Sequence, residues 1–234
     1  MSTDGPRIAL VGSGEYLPAM APLEASLIGR GRNYVQIPLA AGQESDERFA
    51  YWVDLGREQA ARLGVTAHTV LARSRADADD PRWARLVAGA DLVYLSGGNP
   101  FHLASSLRGS RLWSAIVDAL GRGVALAGCS AGAMVLGGLI GSLRSPTQHA
   151  EPGLGVLPGT SILPHFDRAR HWMPTELGAV AGAERTIGID ELTALVGEGT
   201  TFRPWGTGRC WVVEGTSTTP ISDAIDLPVV IPAT

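Results

Sequence analysis

The sequence predicts an α/β protein built around a mostly parallel sheet. Along the first half of the 234 residues, apolar runs typical of strands alternate with amphipathic patterns typical of helices, and this alternation is characteristic of βαβ units. One strand runs directly into residues 128–132, Gly-Cys-Ser-Ala-Gly, after which the pattern becomes helical. With 45% hydrophobic residues, the chain is able to bury a sizeable core, so we expect one domain over residues 1–234.

Five strands and three helices are predicted in this first half. The strands, which are short apolar runs bounded by turn residues, are Arg7–Val11, Tyr34–Leu39, Val65–Leu71, Asp91–Ser96 and Val124–Ala127. The helix Asp46–Leu63 has one apolar face and stops at Gly64, a residue suited to the left-handed C′ position. A second helix opens with Asp80 as N-cap and Pro81 in its first turn, and a third spans Ser110–Leu120. We expect all three to cover the sheet.

The second half of the chain is richer in Gly, Pro and Thr and has only short apolar runs. Thr193–Gly197 and Arg209–Glu214 are predicted to be antiparallel strands at the sheet edge, near the C-terminus. The segment between them, Gly197 to Gly208, is rich in turn residues. No Ser/Gly linker, repeat or charge block separates the two halves, which favours one domain.

Charge and cysteine content exclude several classes of protein. A net charge of -4 and a pI near 5.7 predict no basic surface, so we expect no nucleic-acid partner. Cys129 and Cys210 are too few for a disulfide framework and indicate a reducing compartment, most simply the cytoplasm. Met1–Pro6 is polar and does not predict a leader peptide. Gly123–Leu143 is uncharged, but its six glycines and strand-turn-helix pattern favour a buried core segment, and we expect no membrane partner.

Residues 128–132 predict a nucleophile elbow. In such an elbow the central side chain is exposed on a tight turn between a strand and a helix, and flanking glycines remove the clash that a Cβ would cause. Ser130 is therefore the leading candidate nucleophile. Cys129 lies one residue too early and is expected to point away from the site as a small buried residue.

A serine nucleophile needs a base within hydrogen-bond reach and a third group that orients the base. We prefer His165 because it follows Ile162-Leu163-Pro164, where an apolar strand ends, and strand ends are where sheet-based sites collect side chains. His171 is the second choice. The other histidines are interpreted as surface or packing residues and are His68, His102 and His149.

Two adjacent acids, Asp190 and Glu191, are the candidates for the orienting group. They end an apolar run just before the predicted strand Thr193–Gly197. Neighbouring residues on an extended chain point to opposite sides, so only one of the two faces the histidine. The residues alone leave this choice open, and they leave open an ordinary role for both as solvated turn acids.

Acyl transfer also requires hydrogen-bond donors for the oxyanion, and the amide after the nucleophile, that of Ala131, normally supplies one. The second donor is expected from the glycine turn at residues 96–100, Ser-Gly-Gly-Asn-Pro, with Gly98 preferred.

We expect no cofactor and no metal. The Gly-Ser-Gly at residues 12–14 matches a dinucleotide fingerprint poorly, because Leu17 stands where the third glycine belongs and no acid ends the second strand. The histidines and cysteines show no metal-ligand spacing.

Four motifs occur in a fixed order along the chain. They are Ser96-Gly97-Gly98-Asn99-Pro100, Gly128-Cys129-Ser130-Ala131-Gly132-Ala133, Pro164-His165-Phe166 and Gly188-Ile189-Asp190-Glu191-Leu192-Thr193-Ala194-Leu195. Together they resemble the serine peptidase family of aspartyl dipeptidase and cyanophycinase, over nearly the whole chain. The resemblance implies a three-layer α/β/α fold of the class I glutamine-amidotransferase type and a Ser-His-Glu triad.

Transferred motif by motif, the resemblance implies a role for each candidate. It makes Ser130 the nucleophile, His165 the base, Glu191 rather than Asp190 the orienting acid, and Gly98 with Ala131 the oxyanion hole. Asn99, Arg168 and Arg170 are expected to bind substrate, the arginines by pairing with a carboxylate through a bidentate fork. Solvated loop arginines are the alternative interpretation.

The expected reaction is hydrolysis of small aspartate-containing peptides, with aspartyl or β-aspartyl linkages, through an acyl-enzyme. The residues around His165 and Glu191 are more similar to cyanophycinase, so an exopeptidase for a β-Asp-Arg polymer is one alternative. Others are an esterase, whose triad runs Ser, acid, His, an amidotransferase subunit with a cysteine nucleophile, and a binding protein of the same fold. A homodimer is left open.

Overall fold

The computed structural model describes residues 5–142, 150–172 and 178–233. In these ranges the strands are β1 Arg7–Val11, β2 Asn33–Ile37, β3 Thr66–Thr69, β4 Leu92–Leu95, β5 Ala125–Cys129, β6 Gly137–Gly141, β7 Ala150–Pro152, β8 Leu157–Leu163, β9 Arg185–Ile189, β10 Thr193–Glu198, β11 Thr201–Gly206, β12 Cys210–Glu214, β13 Ser217–Pro220 and β14 Ile225–Asp226. The α-helices are α1 Ala21–Ile28, α2 Asp46–Leu63, α3 Arg75–Ala78, α4 Pro81–Ala88, α5 Pro100–Leu107, α6 Arg111–Gly121, α7 Ala131–Leu136 and α8 Phe166–Trp172.

The central sheet, as far as the structure describes it, has the strand order β14-β11-β10-β1-β5-β4-β2-β3. Strands β1, β5, β4, β2 and β3 run parallel, and β10, β11 and β14 continue the sheet in antiparallel pairing. Side chains alternate between the two faces, so Ile8 and Leu10 pack with α4 to α7 while Ala9 and Val11 pack with α1 and α2. The chain therefore folds as the expected three-layer α/β/α sandwich.

The three predicted helices are confirmed, as are Gly64 at the end of α2 and Asp80 as the N-cap of α4. Ser45 caps α2 by accepting a hydrogen bond from the Arg48 amide, and Gly64 ends it in the left-handed conformation at φ 68°. Asp80 caps α4 by accepting from the Arg82 amide. These caps satisfy amides that a helix leaves without partners, which is why local sequence sufficed to place the helix ends.

Two expectations about the C-terminal part are wrong. Residues 197–208, expected to form turns, contain strand β11. Its hydrogen-bonded pairing with β10 outweighs the low strand propensity of Pro204 and Gly206. Strand β12 belongs to a second sheet, with the order β13-β12-β9-β8-β6-β7 in the described residues, and not to the edge of the central sheet. Ile162 and Ile187 of this second sheet share one core with Leu10 of the first.

None of the helices in the described part of the chain combines the length and the apolar character that crossing a bilayer requires.

Helix α1 carries a buried carboxyl group, that of Glu24. Glu24 is fully shielded from solvent, and Leu23 and Leu27 beside it pack in the core on that face of the sheet. Burial is the main cause that raises the pKa of Glu24 from 4.5 to about 7. The neutral acid is therefore the favoured form in the folded protein over much of the acidic range.

Glu24 makes stability depend on pH. Because the folded-state pKa of Glu24 is raised, its contribution to the free energy of unfolding is complete below pH 4.5. That contribution is lost as pH rises through about 7. We expect the free energy of unfolding of the wild type to fall by about 3 kcal/mol more than that of Glu24→Gln between about pH 5 and about pH 8. Denaturant titrations at both pH values measure this, with Glu58→Gln at an exposed position of α2 as control. Equal pH dependence in wild type and Glu24→Gln would contradict it.

Candidate active site

Ser130 occupies the sharp turn between β5 and α7. Its backbone has φ 50° and ψ -112°, which a residue with a Cβ rarely adopts. The Ser130 amide donates a hydrogen bond of 2.9 Å to the Val11 carbonyl of the neighbouring strand. A Cβ at Gly128 would lie 2.3 Å from the Gly132 carbonyl oxygen, and one at Gly132 would lie 2.2 Å from that of Leu95. Both glycines are thus required by close backbone contact.

His165 follows β8 in the second sheet and faces the elbow. Its Nε2 lies 3.0 Å from Ser130 Oγ, within hydrogen-bond distance. The backbone of His165 also has a positive φ of 50°. The next residue, Phe166, is fully buried against Gly188, where a Cβ would lie 2.5 Å from the ring. This packing fixes the start of α8 and with it the position of the imidazole.

Glu191 completes a chain of side-chain hydrogen bonds. Its Oε1 accepts from His165 Nδ1 at 2.9 Å, and both side chains are about one-third exposed. The Glu191 amide donates to Asp167 Oδ1 at 3.0 Å, which links the β9–β10 turn to the first turn of α8. Arg168 lies on the outer side, with its guanidinium 3.4 Å from Glu191 Oε1.

The neighbouring acid, Asp190, points the other way. It is 7% exposed, and its carboxylate accepts hydrogen bonds of 2.9 Å from the Arg209 amide and from Trp211 Nε1. It therefore connects the end of β9 to β12. The period-two geometry of an extended chain separates the two acids, one toward the histidine and one into the structure.

The glycine turn after β4 lies beside the elbow, with an ideal Cβ at Gly97 only 3.4 Å from Ser130 Cβ. Gly98 has φ 137° and approaches the backbone of Ala40 so closely that a Cβ would meet it at 2.6 Å. Ala131 is the first residue of α7, where amides have no partner inside the helix. The glycine turn and the start of α7 are thus both close to the serine.

Comparison with known proteins identifies the group to which this arrangement belongs. The model of peptidase family S51 matches residues 8–204. The chain is a member of peptidase family S51. It is accordingly a serine peptidase, a hydrolase.

Individual relatives of this S51 peptidase agree with that assignment. Peptidase E of Shewanella amazonensis is 26% identical over 230 residues, which cover 93% of each chain. The solved structure of a peptidase from an acI-B1 Actinobacterium is 37% identical, with a TM-score of 0.87 over 95% of this chain and 97% of the other. A structure from Listeria monocytogenes, 18% identical with a TM-score of 0.65 over 88% and 100%, is similar in fold.

The remaining predicted site residues of the S51 peptidase have other contacts. Asn99 caps α5 by accepting from the Phe101 and His102 amides, and its side-chain amide donates to Gln43. Arg170 lies over the Trp211 ring at 4.3 Å from the centroid and does not share the Glu191 contact of Arg168. Of the three residues predicted to bind substrate, Arg168 is the one that contacts the hydrogen-bonded side chains of Ser130, His165 and Glu191.

Two of the other histidines, His68 and His102, have different partners. His68 contacts the Asn33 side chain, and His102 contacts the Arg73 carbonyl. His149 lies outside the described residues, as does Leu143, the last residue of the uncharged segment Gly123–Leu143. Within the described ranges, no group of three His, Cys, Asp or Glu side chains is placed to hold a metal ion.

Sequence reasoning missed one residue of the site. Glu15, on the loop after β1, accepts hydrogen bonds from the Gly97 amide at 2.8 Å and from Cys129 Sγ at 2.9 Å. The available signal was its place directly after Gly14, at the carboxyl end of a central strand, where sheet-based sites collect side chains. In the sequence, the adjacent Gly12-Ser13-Gly14 indicates only a poor dinucleotide motif.

Asp190 is expected to contribute to the stability of the fold. Asp190→Ala leaves two buried donors without an acceptor, so we expect it to lower the free energy of unfolding by about 3 kcal/mol. Urea unfolding measures the loss, with Asp54→Ala on the exposed side of α2 as control, where an exposed ion pair with Arg57 is worth less than about 1 kcal/mol. An unchanged midpoint in Asp190→Ala would show that Asp190 does not hold β12 in place.

Proposed function

We propose that this S51 peptidase hydrolyses small aspartate-containing peptides, at aspartyl or β-aspartyl linkages, through an acyl-enzyme on Ser130. The observation that supports this most directly is the chain of hydrogen bonds from Ser130 Oγ to His165 Nε2, 3.0 Å, and from His165 Nδ1 to Glu191 Oε1, 2.9 Å. Its geometry is that of a nucleophile, a general base and an orienting carboxylate.

The first half of the reaction forms the acyl-enzyme. Ser130 Oγ attacks the carbonyl carbon of the scissile amide while His165 Nε2 takes its proton. Glu191 accepts the Nδ1–H of His165, which selects the tautomer with a free lone pair on Nε2 and stabilises the imidazolium that forms. The imidazolium then protonates the leaving amine as the C–N bond breaks.

The second half releases the acid product. His165 deprotonates a water molecule, which attacks the ester carbonyl, and the proton returns to Ser130 Oγ as that ester bond breaks. In both tetrahedral intermediates the oxyanion is held by the amides of Gly98 and Ala131. Every proton passes between Ser130, His165, the leaving amine and water while Glu191 orients the imidazole, so the cycle closes without a cofactor.

The substrate class is supported by a cation at the edge of the site. The Arg168 side chain is 65% exposed and contacts Glu191 through one nitrogen, so the rest of its guanidinium fork is available to a second carboxylate. An aspartyl or β-aspartyl peptide supplies such a carboxylate next to the scissile bond. The similarity to a Peptidase E favours the same class.

Two enzymatic alternatives fit the site less well. An α/β-hydrolase esterase orders its triad Ser, acid, His, whereas the hydrogen-bonded residues here run Ser130, His165, Glu191. A cysteine nucleophile, as in an amidotransferase subunit, is disfavoured because Cys129 is fully buried and burial raises the pKa of its thiol well above the ordinary value.

Replacement of the nucleophile is the first test. Ser130→Ala removes the attacking atom and leaves the turn intact, so we expect a folded protein whose turnover of aspartyl and β-aspartyl dipeptides is lower by about 10⁴-fold or more. Circular dichroism checks the fold, and labelling by a fluorophosphonate checks the nucleophile. Wild-type activity in this variant, or failure of the wild type to label, would exclude the acyl-enzyme mechanism.

Arg168 is expected to determine preference for acidic substrates. Arg168→Met keeps most of the apolar stem but removes the fork, so we expect KM for aspartyl dipeptides to rise about tenfold or more with a smaller change in kcat. The matched control is Arg57→Met on the exposed face of α2. A panel of dipeptides and a β-Asp-Arg polymer identifies the substrate, and equal hydrolysis of alanyl and aspartyl dipeptides by the wild type would contradict the proposed class.

A further inference from the structure

The carboxylate of Glu15 joins the two backbone segments that surround the nucleophile. One oxygen accepts from the Gly97 amide, in the turn after β4, and the other accepts from the thiol of Cys129, the residue before Ser130. An ideal Cβ at Gly97 would lie 2.6 Å from Glu15 Oε1 and 3.4 Å from Ser130 Cβ. The carboxylate thus lies within a short distance of the reacting serine, although it takes no part in the hydrogen bonds of Ser130, His165 and Glu191.

The neighbouring residue strengthens the same connection. Tyr16 has a positive φ of 66°, and its buried hydroxyl lies 2.6 Å from Ser96 Oγ. Consecutive residues of the β1 loop, Glu15 and Tyr16, therefore contact consecutive residues of the glycine turn, Gly97 and Ser96. Two such contacts define both the position and the orientation of the turn.

The bond to Glu15 also decides which amide of the turn remains available. The Gly97 amide is used by Glu15, and the Asn99 amide donates to the Ala40 carbonyl at 2.9 Å. Within the described part of the chain, the Gly98 amide between them has no hydrogen-bond partner. Glu15 and Ala40 hold the peptide units on both sides of Gly98, and this amide is left to meet an oxyanion.

Cys129 fits the role of a donor to the carboxylate. The side chain is fully buried, and burial together with the charge of Glu15 raises the pKa of the thiol well above its ordinary value, so the S–H group keeps its proton. A hydrogen bond to an ionised acceptor is stronger than one between neutral groups. The thiol thereby connects the elbow strand to the same carboxylate as the glycine turn.

We propose that Glu15 is a positioning residue that sets the oxyanion hole by holding the Gly98 amide in register with the Ala131 amide. The inference rests on the proposed function, since it assumes an oxyanion at Ser130. Preorganised donors stabilise the transition state because they need no reorganisation when the charge develops. Displacement of one donor affects the tetrahedral state more than the planar ground state, so its effect is seen in kcat.

Three variants at Glu15 and a control test the proposal on aspartyl dipeptides. Glu15→Ala removes both acceptors, and we expect kcat to fall about tenfold or more with KM within about twofold. Glu15→Gln keeps an acceptor for the Gly97 amide and is expected to recover most of the loss, whereas Glu15→Asp, which is shorter, is not. Glu58→Ala, at an exposed position of α2, is the control for removal of a carboxylate. Thermal unfolding of each variant separates loss of fold from loss of rate.

The affinity for a transition-state mimic gives a second measurement that a purely structural role would not change. A peptide aldehyde adds to Ser130 as a tetrahedral adduct, and we expect Glu15→Ala to weaken its binding by about the same factor as kcat while product binding stays within about twofold. Cys129→Ala is expected to show a smaller loss in the same direction, and Cys129→Ser, which keeps a donor, to recover it.

The outcomes distinguish failure of the positioning role of Glu15 from failure of the proposed function. Unchanged kcat in Glu15→Ala, or a rise in KM that accounts for the whole effect, overturns the positioning role. Equal loss in Glu15→Gln and Glu15→Ala also overturns it, because the charge and not the acceptor would then matter. If the wild type cleaves no peptide and does not label at Ser130, the proposed function fails instead, and aldehyde binding shows no dependence on Glu15.

Discussion

The close approach of three backbone segments at Ser130 is the constraint on which the rest of the site depends. Gly128 contacts the Gly132 carbonyl and Gly132 contacts that of Leu95, at distances that exclude a Cβ. The turn can therefore be tight enough to place Ser130 at positive φ, with a backbone cost of about 1–3 kcal/mol. The ladders of β5 with β1 and β4 hold this conformation, so the serine side chain is presented at the sheet edge.

The other two members of the hydrogen-bonded chain come from outside the central parallel strands. His165 follows β8, and Glu191 lies between β9 of the second sheet and β10 of the first. Because the two sheets share one apolar core, their strand ends are fixed relative to each other. Positive φ at His165 and Leu192 shows that the backbone is strained on both sides of the contact, as is common where surrounding structure holds functional groups in place.

Four carboxyl groups of the protein differ in role because their surroundings differ. Glu191 faces His165 and is partly exposed, whereas Asp190 is buried and accepts from the Arg209 amide and the Trp211 indole. Glu15 accepts from Gly97 and Cys129 beside Ser130. Glu24 is fully buried, and burial raises its pKa. Residue type alone does not distinguish these four, since the burial of each carboxyl group and the donors around it set its role.

The α/β class, the end of α2 at Gly64, the N-cap at Asp80 and the elbow at Ser130 follow from the sequence alone, because these depend on local periodicity, capping and steric requirements. The second sheet, strand β11 and the contact between Glu15 and Gly97 follow from contacts made in the folded chain. They join residues far apart in the chain, and local propensity contains no information about which distant backbone supplies a partner. For Asp190 and Glu191, alternation predicts that the two side chains diverge, and the family resemblance indicates Glu191. The packing of β12 and α8 is the physical reason that Glu191 faces the histidine and Asp190 faces Trp211.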